Sequence, residues 1–301
     1  MPHGPSSSPL IRRQLGRRLA ALRVAAGLTQ EQVAEAIERA RATIGRMEDG
    51  VESVRYRQSD LKAMLKLYNA SEEDTQLILG LAAETRNGNR KSWWHDYTES
   101  ALPSWFRFYV TLETSAERIR LYETELVPGL LQTRAYAEQV TRTPEGYLDE
   151  KDVEERVNIR MSRQSLLTQP RAPQLHVILN EAVLHRKVGD DAVMAEQLEH
   201  LLKVSERANV ILRVLPFDAG AHGGLAAGGP FHILDFPDDP TTGEPLEPPL
   251  AYVETLTGAF YMSKHEEVSA FRLVWDDLER RALGQPGSME KIADTLKGLQ
   301  K

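Results

Sequence analysis

The chain has 301 residues, 41% of them apolar and 27% charged, and its 37 Lys and Arg against 44 Asp and Glu give a formal net charge of −7. This composition excludes disordered and fibrous classes, and the length favours two domains. The absence of cysteine excludes disulfides, thiolate-ligated zinc, thiol catalysis and iron–sulfur clusters. No apolar run approaches the roughly 18 residues of a membrane span. Residues 1–10 contain no apolar signal core, so we expect a cytoplasmic protein.

The net charge is divided unevenly along the chain. Residues 1–70 hold twelve Lys and Arg against seven Asp and Glu, a balance of +5, so residues 71–301 carry −12. A basic N-terminal part on an acidic remainder indicates a polyanion-binding module attached to a second domain. Because solvated basic faces are common, the charge alone does not establish binding.

Helical periodicity begins after a tail over 1–10 that we expect to be disordered. The first helix carries an apolar face formed by Ile11, Leu15, Leu19 and Leu22. Gly27 ends this helix, because glycine adopts a positive φ without strain. Thr29 caps the second helix, and Gln32 completes a capping box three residues later.

Three further helices complete a predicted domain over 11–85. The third runs over about 41–48 and ends at Asp49-Gly50. The fourth fits 59–68 and turns four residues inward: Leu61, Met64, Leu65 and Tyr68. The fifth fits 72–83 and is capped by Ser71.

Two segments of this domain carry a family resemblance: Leu-Thr-Gln-Glu-Gln-Val-Ala-Glu-Ala-Ile at 28–37 and Ala-Thr-Ile-Gly-Arg-Met-Glu-Asp-Gly at 42–50. They resemble the helix-turn-helix of XRE/Cro-type repressors. The resemblance implies a mainly α, five-helix lambda-repressor-like head that binds double-stranded operator DNA. In that family the third helix enters the major groove, and the second lies across the DNA backbone.

Carried over by position, the resemblance implies the DNA contacts. Gln30 would touch a phosphate from the start of the second helix. Four residues would face base edges or flanking phosphates: Arg41, Ala42, Thr43 and Arg46. An arginine can bond guanine with two hydrogen bonds, and a threonine methyl can contact thymine. Arg23 and Glu48 match an ion pair of the family, to which we assign a structural role.

The turn before the third helix departs from the family pattern. Glu38 stands where glycine is usual, and a left-handed backbone there would cost on the order of 1 kcal/mol. Ala40 replaces the usual Ser or Thr and offers no side-chain cap. Gly45 lowers helix propensity inside the third helix. The alternative to DNA binding is therefore a helical bundle that has lost it.

A polar linker is predicted over 86–92, followed by a regulatory and dimerisation domain over 93–301. The second domain opens with an aromatic-dense stretch over 93–109. We interpret this stretch as core or interdomain packing, because it lacks the interleaved basic residues of a single-strand binder.

The remaining pattern predicts an α+β domain with a small mixed or antiparallel sheet. Predicted helices cover 113–122, 150–167, 191–205, 264–283 and 288–299, with another capped by Thr133 after a Pro-Gly loop over 125–133. Predicted strands cover 174–180, 210–215, 231–236, 250–254 and 259–262. Strands and helices do not alternate strictly, which disfavours a doubly wound sheet.

The second domain is similar to the large domain of actinobacterial antitoxin-like regulators that carry an XRE head. The matching segments are Trp94-His95-Asp96, 125–133, 156–164, Val214 to Phe217 with 220–222, and Tyr252 to Glu254. The resemblance implies transcription control and a small partner protein encoded nearby. It supplies no ligand.

Candidate ligand or partner residues follow from charge spacing. Arg156, Arg160 and Arg163 share one helix face, so they could receive a phosphorylated ligand or an acidic segment. The alternative is internal pairing with carboxylates, among them Glu125 and Glu181. The glycine-rich stretch over 220–229, which contains His222, suits either a phosphate-binding lid or an ordinary connection, and matches no nucleotide motif. Glu181 and Glu254 could also form an acid pair, although a buried carboxylate paired with arginine is the simpler explanation.

No histidine spacing typical of a metal site and no nucleophile motif occurs, so we expect no metal, no cofactor and no enzyme activity. The sequence predicts a DNA-binding transcriptional regulator, a homodimer associated with the nucleoid, whose second domain senses a ligand or partner protein. The alternative is an antitoxin-like protein that sequesters a small partner, with DNA binding autoregulatory. An enzyme carrying a DNA-binding head ranks last.

Overall fold

The computed structural model describes residues 8–51, 53–85, 104–146, 148–238, 247–256 and 258–299. The chain divides into two compact units. The first takes the described residues of Met1–Thr98, Pro103–Tyr109 and Thr255–Ser263, and the second those of Val110–Glu254 and Lys264–Lys301. The predicted linker over 86–92, residues 1–7 of the predicted tail and the aromatic residues at 93–97 lie outside the described residues.

The five predicted N-terminal helices form, but the first begins at Ser8, three residues inside the tail predicted to be disordered over 1–10. They are α1 Ser8–Ala25, α2 Gln30–Ala36, α3 Arg41–Glu48, α4 Gln58–Leu67 and α5 Glu72–Glu84. Thr29 accepts the Gln32 N–H, and the Gln32 side chain accepts the Thr29 N–H, which completes the capping box. Ser71 caps α5 by accepting the N–H of Asp74.

α1 is the central helix of the first unit. Its side chains Ile11, Leu15 and Leu19 are fully buried. Gly16 lies on α1 where the end of α3 crosses it, and a Cβ at this position would stand 2.2 Å from the Glu48 carbonyl oxygen. No other residue fits this approach, so α1 and α3 contact each other through their backbones.

The turn between α2 and α3 has the backbone that the family departures predict. Glu38 has a φ of 54°, in the left-handed region. Ala40 is the N-cap of α3 and makes no side-chain hydrogen bond there. Two hydrogen bonds of 2.9 Å from Arg39 to the Asp60 carboxylate connect this turn to α4. An ion pair to α4 therefore holds a turn that lacks its usual glycine and cap.

The strands form one mixed sheet in the order β3-β2-β1-β4-β5-β6. They are β1 Arg118–Glu123, β2 Gln174–Asn180, β3 Val210–Leu215, β4 Phe231–Asp235, β5 Leu250–Thr255 and β6 Gly258–Met262. β1 and β3 run parallel to β2, whereas β4 runs antiparallel to β1 and β5. The α+β class with a mixed sheet is confirmed, and the sheet has six strands.

Eight more helices surround the sheet or connect its strands: α6 Ser104–Ser115, α7 Arg134–Thr141, α8 Glu150–Arg163, α9 Ala182–His185, α10 Asp191–Val204, α11 Gly224–Ala227, α12 His265–Arg281 and α13 Gln285–Leu299. The stripe predicted on α12 packs on one sheet face, where Trp275 and Leu278 join Tyr122, Ile178 and Phe231 in a buried cluster. Burial of this amphipathic face explains why α12 forms.

The helix predicted over 113–122 is wrong. α6 ends at Ser115, and β1 occupies 118–123 in the interior of the sheet. Because β1 has neighbours on both edges and is covered on both faces, Ile119, Leu121 and Tyr122 are all buried. A strand buried on both faces loses the alternation that identifies strands, and its apolar spacing is compatible with a helix.

The aromatic stretch contributes to a core where it is described. Phe108 and Tyr109 on α6 are fully buried, and the Phe108 ring lies 4.9 Å from that of Tyr261 in the same unit. For these two residues the packing interpretation is confirmed.

Candidate functional site

α3 presents one face to solvent and buries the other. Ile44 and Met47 are no more than 1% exposed and fix the helix against the first unit. On the opposite side Arg41, Ala42 and Arg46 are exposed, with Thr43 half-buried beside them. The four residues predicted to face DNA therefore lie together along the outer side of α3, with two guanidinium groups available.

The two exposed arginines make only weak contacts within the protein. Arg41 Nε lies 2.6 Å from Glu31 Oε1, and both side chains are about two-thirds exposed, at 66% and 62%. Exposed ion pairs contribute about 0–1 kcal/mol, so little is lost when this one opens. Arg46 Nε donates to the Ala42 carbonyl oxygen at 3.1 Å, which directs the side chain along the helix surface.

Gln30 belongs to the ion pair that connects α1 to α3. Arg23 donates to Glu48 through Nε at 2.7 Å and Nη2 at 3.0 Å, so the predicted pair forms. This bond raises the pKa of Arg23. Gln30 Nε2 donates to Glu48 Oε2 at 2.8 Å, and Arg23 Nη2 donates to this same oxygen. Within the protein, the predicted phosphate ligand Gln30 thus serves to orient Glu48.

In the second unit the three arginines of α8 have three different environments. Arg163 forms a bidentate pair with Glu113, at 2.8 Å and 3.1 Å, and the Glu113 side chain is only 2% exposed. Internal pairing with a carboxylate is therefore confirmed for Arg163. Its partner Glu113 is the first residue of the segment 113–122 that was predicted as a helix. This pair ties α8 to α6.

Arg160 supports the loop that follows β1. Its Nη1 donates to Gln132 Oε1 at 2.8 Å, while Gln132 Nε2 donates to the Val127 carbonyl oxygen at 2.6 Å. Gln164 adds bonds to the carbonyl oxygens of Gly129 and Gln132. Burial, together with the charges of Arg163 and Arg156, lowers the pKa of Arg160 to about 10. The loop is thus fixed by side-chain amides and one guanidinium.

Arg156 lies one turn before Arg160 on α8. Its Nε is buried and has no hydrogen-bond partner among the described residues. Leaving a buried charged donor without a partner costs at least about 1–3 kcal/mol. Arg156 is therefore the arginine of this face whose hydrogen-bonding capacity is least used.

The predicted residues Glu125 and Glu181 pair with residues other than the arginines of α8. Glu125 is exposed and forms an ion pair with Arg186. Glu181 is buried and accepts from Lys291 Nζ at 2.7 Å and from the Phe217 N–H at 2.8 Å. These bonds outweigh burial and hold the pKa of Glu181 below its usual range. Pairing of Glu181 with Glu254 does not occur.

A cleft of about 560 Å³ opens beside Glu181, between α9, α10 and α13. Its size is that of a small-molecule site. Its charged groups are already engaged: Lys291 pairs with Glu181, and Lys187 lies 2.8 Å from Asp191. A charged ligand would have to displace these pairs.

The glycine-rich stretch lies against the sheet and α12. A Cβ at Gly224 would stand 2.6 Å from the Tyr122 ring, so glycine is required for this close approach. The Gly223 N–H donates to Asp277 of α12 at 2.8 Å. His222 Nδ1 is buried without a described partner, and burial lowers the pKa of this imidazole. The His222 ring lies edge-on to that of Tyr122, with the ring centroids 6.1 Å apart.

Two family comparisons match this chain. Residues 14–78 match a helix-turn-helix domain. Residues 106–294 match a domain of unknown function (DUF5753), which covers more than half of the chain. The chain belongs to the DUF5753 family. Its helix-turn-helix domain identifies a DNA-binding regulator. No curated protein and no solved structure matches the chain.

Two other site classes find no support in the described part of the chain. None of its helices is long and apolar enough to cross a membrane. Within those same residues, no three acidic or histidine side chains are grouped so that they would hold a metal ion.

A polar cluster at the carboxyl ends of β1 and β5 was missed by the sequence analysis. Its members Glu123, His232, Tyr252 and Glu254 are not spaced as a motif. Glu123 Oε1 lies 3.3 Å from His232 Nε2, the His232 and Tyr252 rings are 5.3 Å apart, and Tyr252 donates to Glu254 at 3.1 Å. Strand pairing creates this cluster, so only a correct register would have revealed it.

Proposed function

We propose that this chain is a sequence-specific transcriptional regulator of the XRE/Cro type whose second unit senses a ligand or a partner protein. One observation carries the proposal: α3 buries Ile44 and Met47 and leaves Arg41 and Arg46 exposed on its outer side. A helix anchored on one face, with two arginines on the other, suits insertion into a major groove.

The expected DNA contacts follow from the positions of the α3 side chains in the DNA-free protein. Arg41 exchanges its exposed partner Glu31 for a phosphate or a guanine edge, and Arg46 leaves the Ala42 carbonyl oxygen for a base. Thr43 presents its methyl group between them. In a symmetric homodimer, two copies of α3 address half-sites about 34 Å apart, or a multiple of that distance.

The test is selection of operator sequences from genomic DNA by the full chain, followed by titration of the best site. We expect Arg41→Ala and Arg46→Ala each to weaken specific binding by about 1–3 kcal/mol. Arg171→Ala removes an exposed arginine from the second unit and serves as the charge-matched control, with affinity unchanged. Failure to enrich any sequence would refute the proposal, and unchanged affinity in both α3 variants would refute the assigned register.

A second candidate function is an antitoxin-like role, in which the second unit sequesters a small partner and DNA binding is autoregulatory. The charge supports it, because residues 71–301 carry −12 and suit a cationic partner. Under either function the second unit acts by binding and not by catalysis. Co-expression with the neighbouring small gene separates them: the antitoxin-like role requires a stable complex that alters operator affinity.

A further inference from the structure

The cleft between α9, α10 and α13 has the volume of a ligand site and a wall that the fold already holds in place. It measures about 560 Å³, within the range of small-molecule sites. Glu181 lies directly after β2, and its backbone N–H donates to the carbonyl oxygen of Leu215 at the end of β3. Its carboxylate accepts the Phe217 N–H at 2.8 Å. Because these bonds exist without a ligand, binding requires little ordering of this wall.

Each of the three helices contributes an apolar side chain to the cleft. They are Leu184 of α9, Met194 of α10 and Leu299 of α13. Leu184 and Met194 are almost fully buried and form the base, whereas Leu299 is half-buried. A ligand must be apolar where it contacts these residues, because a polar group placed against them would lose its hydrogen bonds to water.

The lysines and carboxylates that line the cleft are paired within the protein. The pairs are Lys291 with Glu181 at 2.7 Å, Lys187 with Asp191 at 2.8 Å, and Asp294 with Lys297 at 2.9 Å. A charged ligand would have to replace one member of a pair and leave the other without its counter-charge. An uncharged ligand leaves all three pairs intact.

Lys291 retains hydrogen-bond donors that a ligand can reach. Its ammonium group has three N–H bonds, and its side chain is 37% exposed on the wall of the cleft. Its partner Glu181 is only 8% exposed, so the negative charge of this carboxylate is little screened by solvent. A second carboxylate brought to Lys291 would be repelled by Glu181. A neutral acceptor, such as a carbonyl oxygen, can bond to Lys291 without that repulsion.

We propose that this cleft binds an uncharged small molecule with an apolar body, whose hydrogen-bond acceptor receives an N–H of Lys291. The apolar body lies against Leu184, Met194 and Leu299. The inference rests on the proposed function, in which the second unit senses a ligand, and it names the chemical class of that ligand.

The test uses the full chain and three probes of the same shape that differ in charge: benzamide, benzoate and benzamidinium. Benzamide should bind with a dissociation constant of about 10 mM or tighter, as expected for a fragment of its size. The two charged probes should bind at least about tenfold more weakly, because each must break an ion pair of the cleft. The apolar group of 4-tert-butylbenzamide should strengthen binding at least about tenfold relative to benzamide.

The methyl group of Met194 reports binding at the cleft itself. The chain is labelled with carbon-13 at the methyl groups of its seven methionines, and Met194→Leu assigns the signal. Titration with benzamide should shift the Met194 signal and leave the signals of Met47 and Met64 in the first unit unchanged. The shift yields the dissociation constant in the wild-type protein, so this measurement does not depend on a variant that folds.

Gly298→Trp tests the location of the site by filling it. Gly298 lines the cleft, and a Cβ there would meet no atom within 4 Å, so the indole has room to extend over the opening. We expect at least about tenfold weaker binding of 4-tert-butylbenzamide. Glu290→Trp adds the same side chain at an exposed position of α13 outside the cleft and should leave binding unchanged.

Lys291→Met tests the hydrogen bond. It removes the donor, while Glu181 keeps the bond from the Phe217 N–H. Binding of benzamide should weaken about fivefold or more. Lys203→Met removes an exposed lysine of α10 outside the cleft and should have no effect. Thermal melts establish that each variant is folded before its affinity is compared.

Each of four results would overturn the inference. They are no shift of the Met194 signal with either amide, binding of a charged probe as tight as that of benzamide, no gain from the tert-butyl group, and affinity unchanged in both Gly298→Trp and Lys291→Met. Operator affinity of the ligand-free chain is measured alongside. Specific DNA binding by a chain whose cleft binds neither amide would refute this site and leave the proposed function intact.

Discussion

Glu48 offers a test of how far burial determines the contribution of an ion pair to the stability of this fold. It accepts three hydrogen bonds, two from Arg23 and one from Gln30, and its side chain is 5% exposed. Glu48→Leu removes all three bonds and leaves the guanidinium group of Arg23 largely buried without a carboxylate. Breaking a buried pair in this way costs about 3–5 kcal/mol. We expect the free energy of unfolding of the first unit to fall by that amount.

The control is an ion pair of similar length in the same unit. Glu31 and Arg41 are 2.6 Å apart, but both are about two-thirds exposed. Glu31→Leu should therefore cost no more than about 1 kcal/mol. Both substitutions remove a carboxylate from an arginine, and the two pairs differ in burial and in the additional Gln30 bond to Glu48.

Hydrogen exchange on the full chain, read by mass spectrometry, measures the opening free energy of α1 and α3 directly. A double-mutant cycle that combines Glu48→Leu with Arg23→Met measures the coupling energy between Glu48 and Arg23. Equal losses for Glu48→Leu and Glu31→Leu would refute the argument, as would a coupling energy below about 0.5 kcal/mol in the cycle.

Three further predictions concern the first unit. Gly45→Ala should raise its stability by about 1 kcal/mol in thermal melts, because a Cβ there stands 3.6 Å from the Gln30 amide oxygen and clashes with nothing. Gly16→Ala should lower stability by about 1–3 kcal/mol in the same melts, because its Cβ would overlap the Glu48 carbonyl oxygen. The Arg39 bonds hold the pKa of Asp60 below its usual range, so their stabilisation is complete above the ordinary aspartate pKa and is lost as the pH falls through the depressed one. Urea denaturation at a series of pH values measures this loss of stability. In Asp60→Asn the free energy of unfolding should fall less at acidic pH than in the wild type, and an unchanged fall would contradict the assignment.

The sequence predicted best those elements whose boundaries depend on neighbouring residues. Thr29 and Ser71 begin their helices through side-chain bonds to residues three positions on, so the starts of α2 and α5 could be located from the sequence. The same local reasoning identified Glu38 and Ala40 as the unusual positions of the turn.

Pairings between distant segments could not be predicted. Arg163 was recognised as a candidate for internal pairing, but its partner Glu113 is 50 residues away. The cluster of Glu123 and His232 depends on the register between β1 and β4, and the assignment of 113–122 as a helix had removed β1 from the sheet. The misassigned strand therefore hid the cluster, whereas the ion pair joins two helices, α6 and α8, that are far apart in the sequence.

The position of β1 also sets an order of assembly during synthesis. Its two edges pair with 174–180 and 231–235, so both partners are translated later. Ribosomes add about 5–20 residues per second, and the roughly 110 residues between β1 and β4 therefore take on the order of ten seconds. The first five helices contact mainly one another, so most of their packing needs only the first 85 residues, which favours early folding. The nascent chain can thus fold the helices of its helix-turn-helix domain before the partner strand for the second edge of β1 has been made.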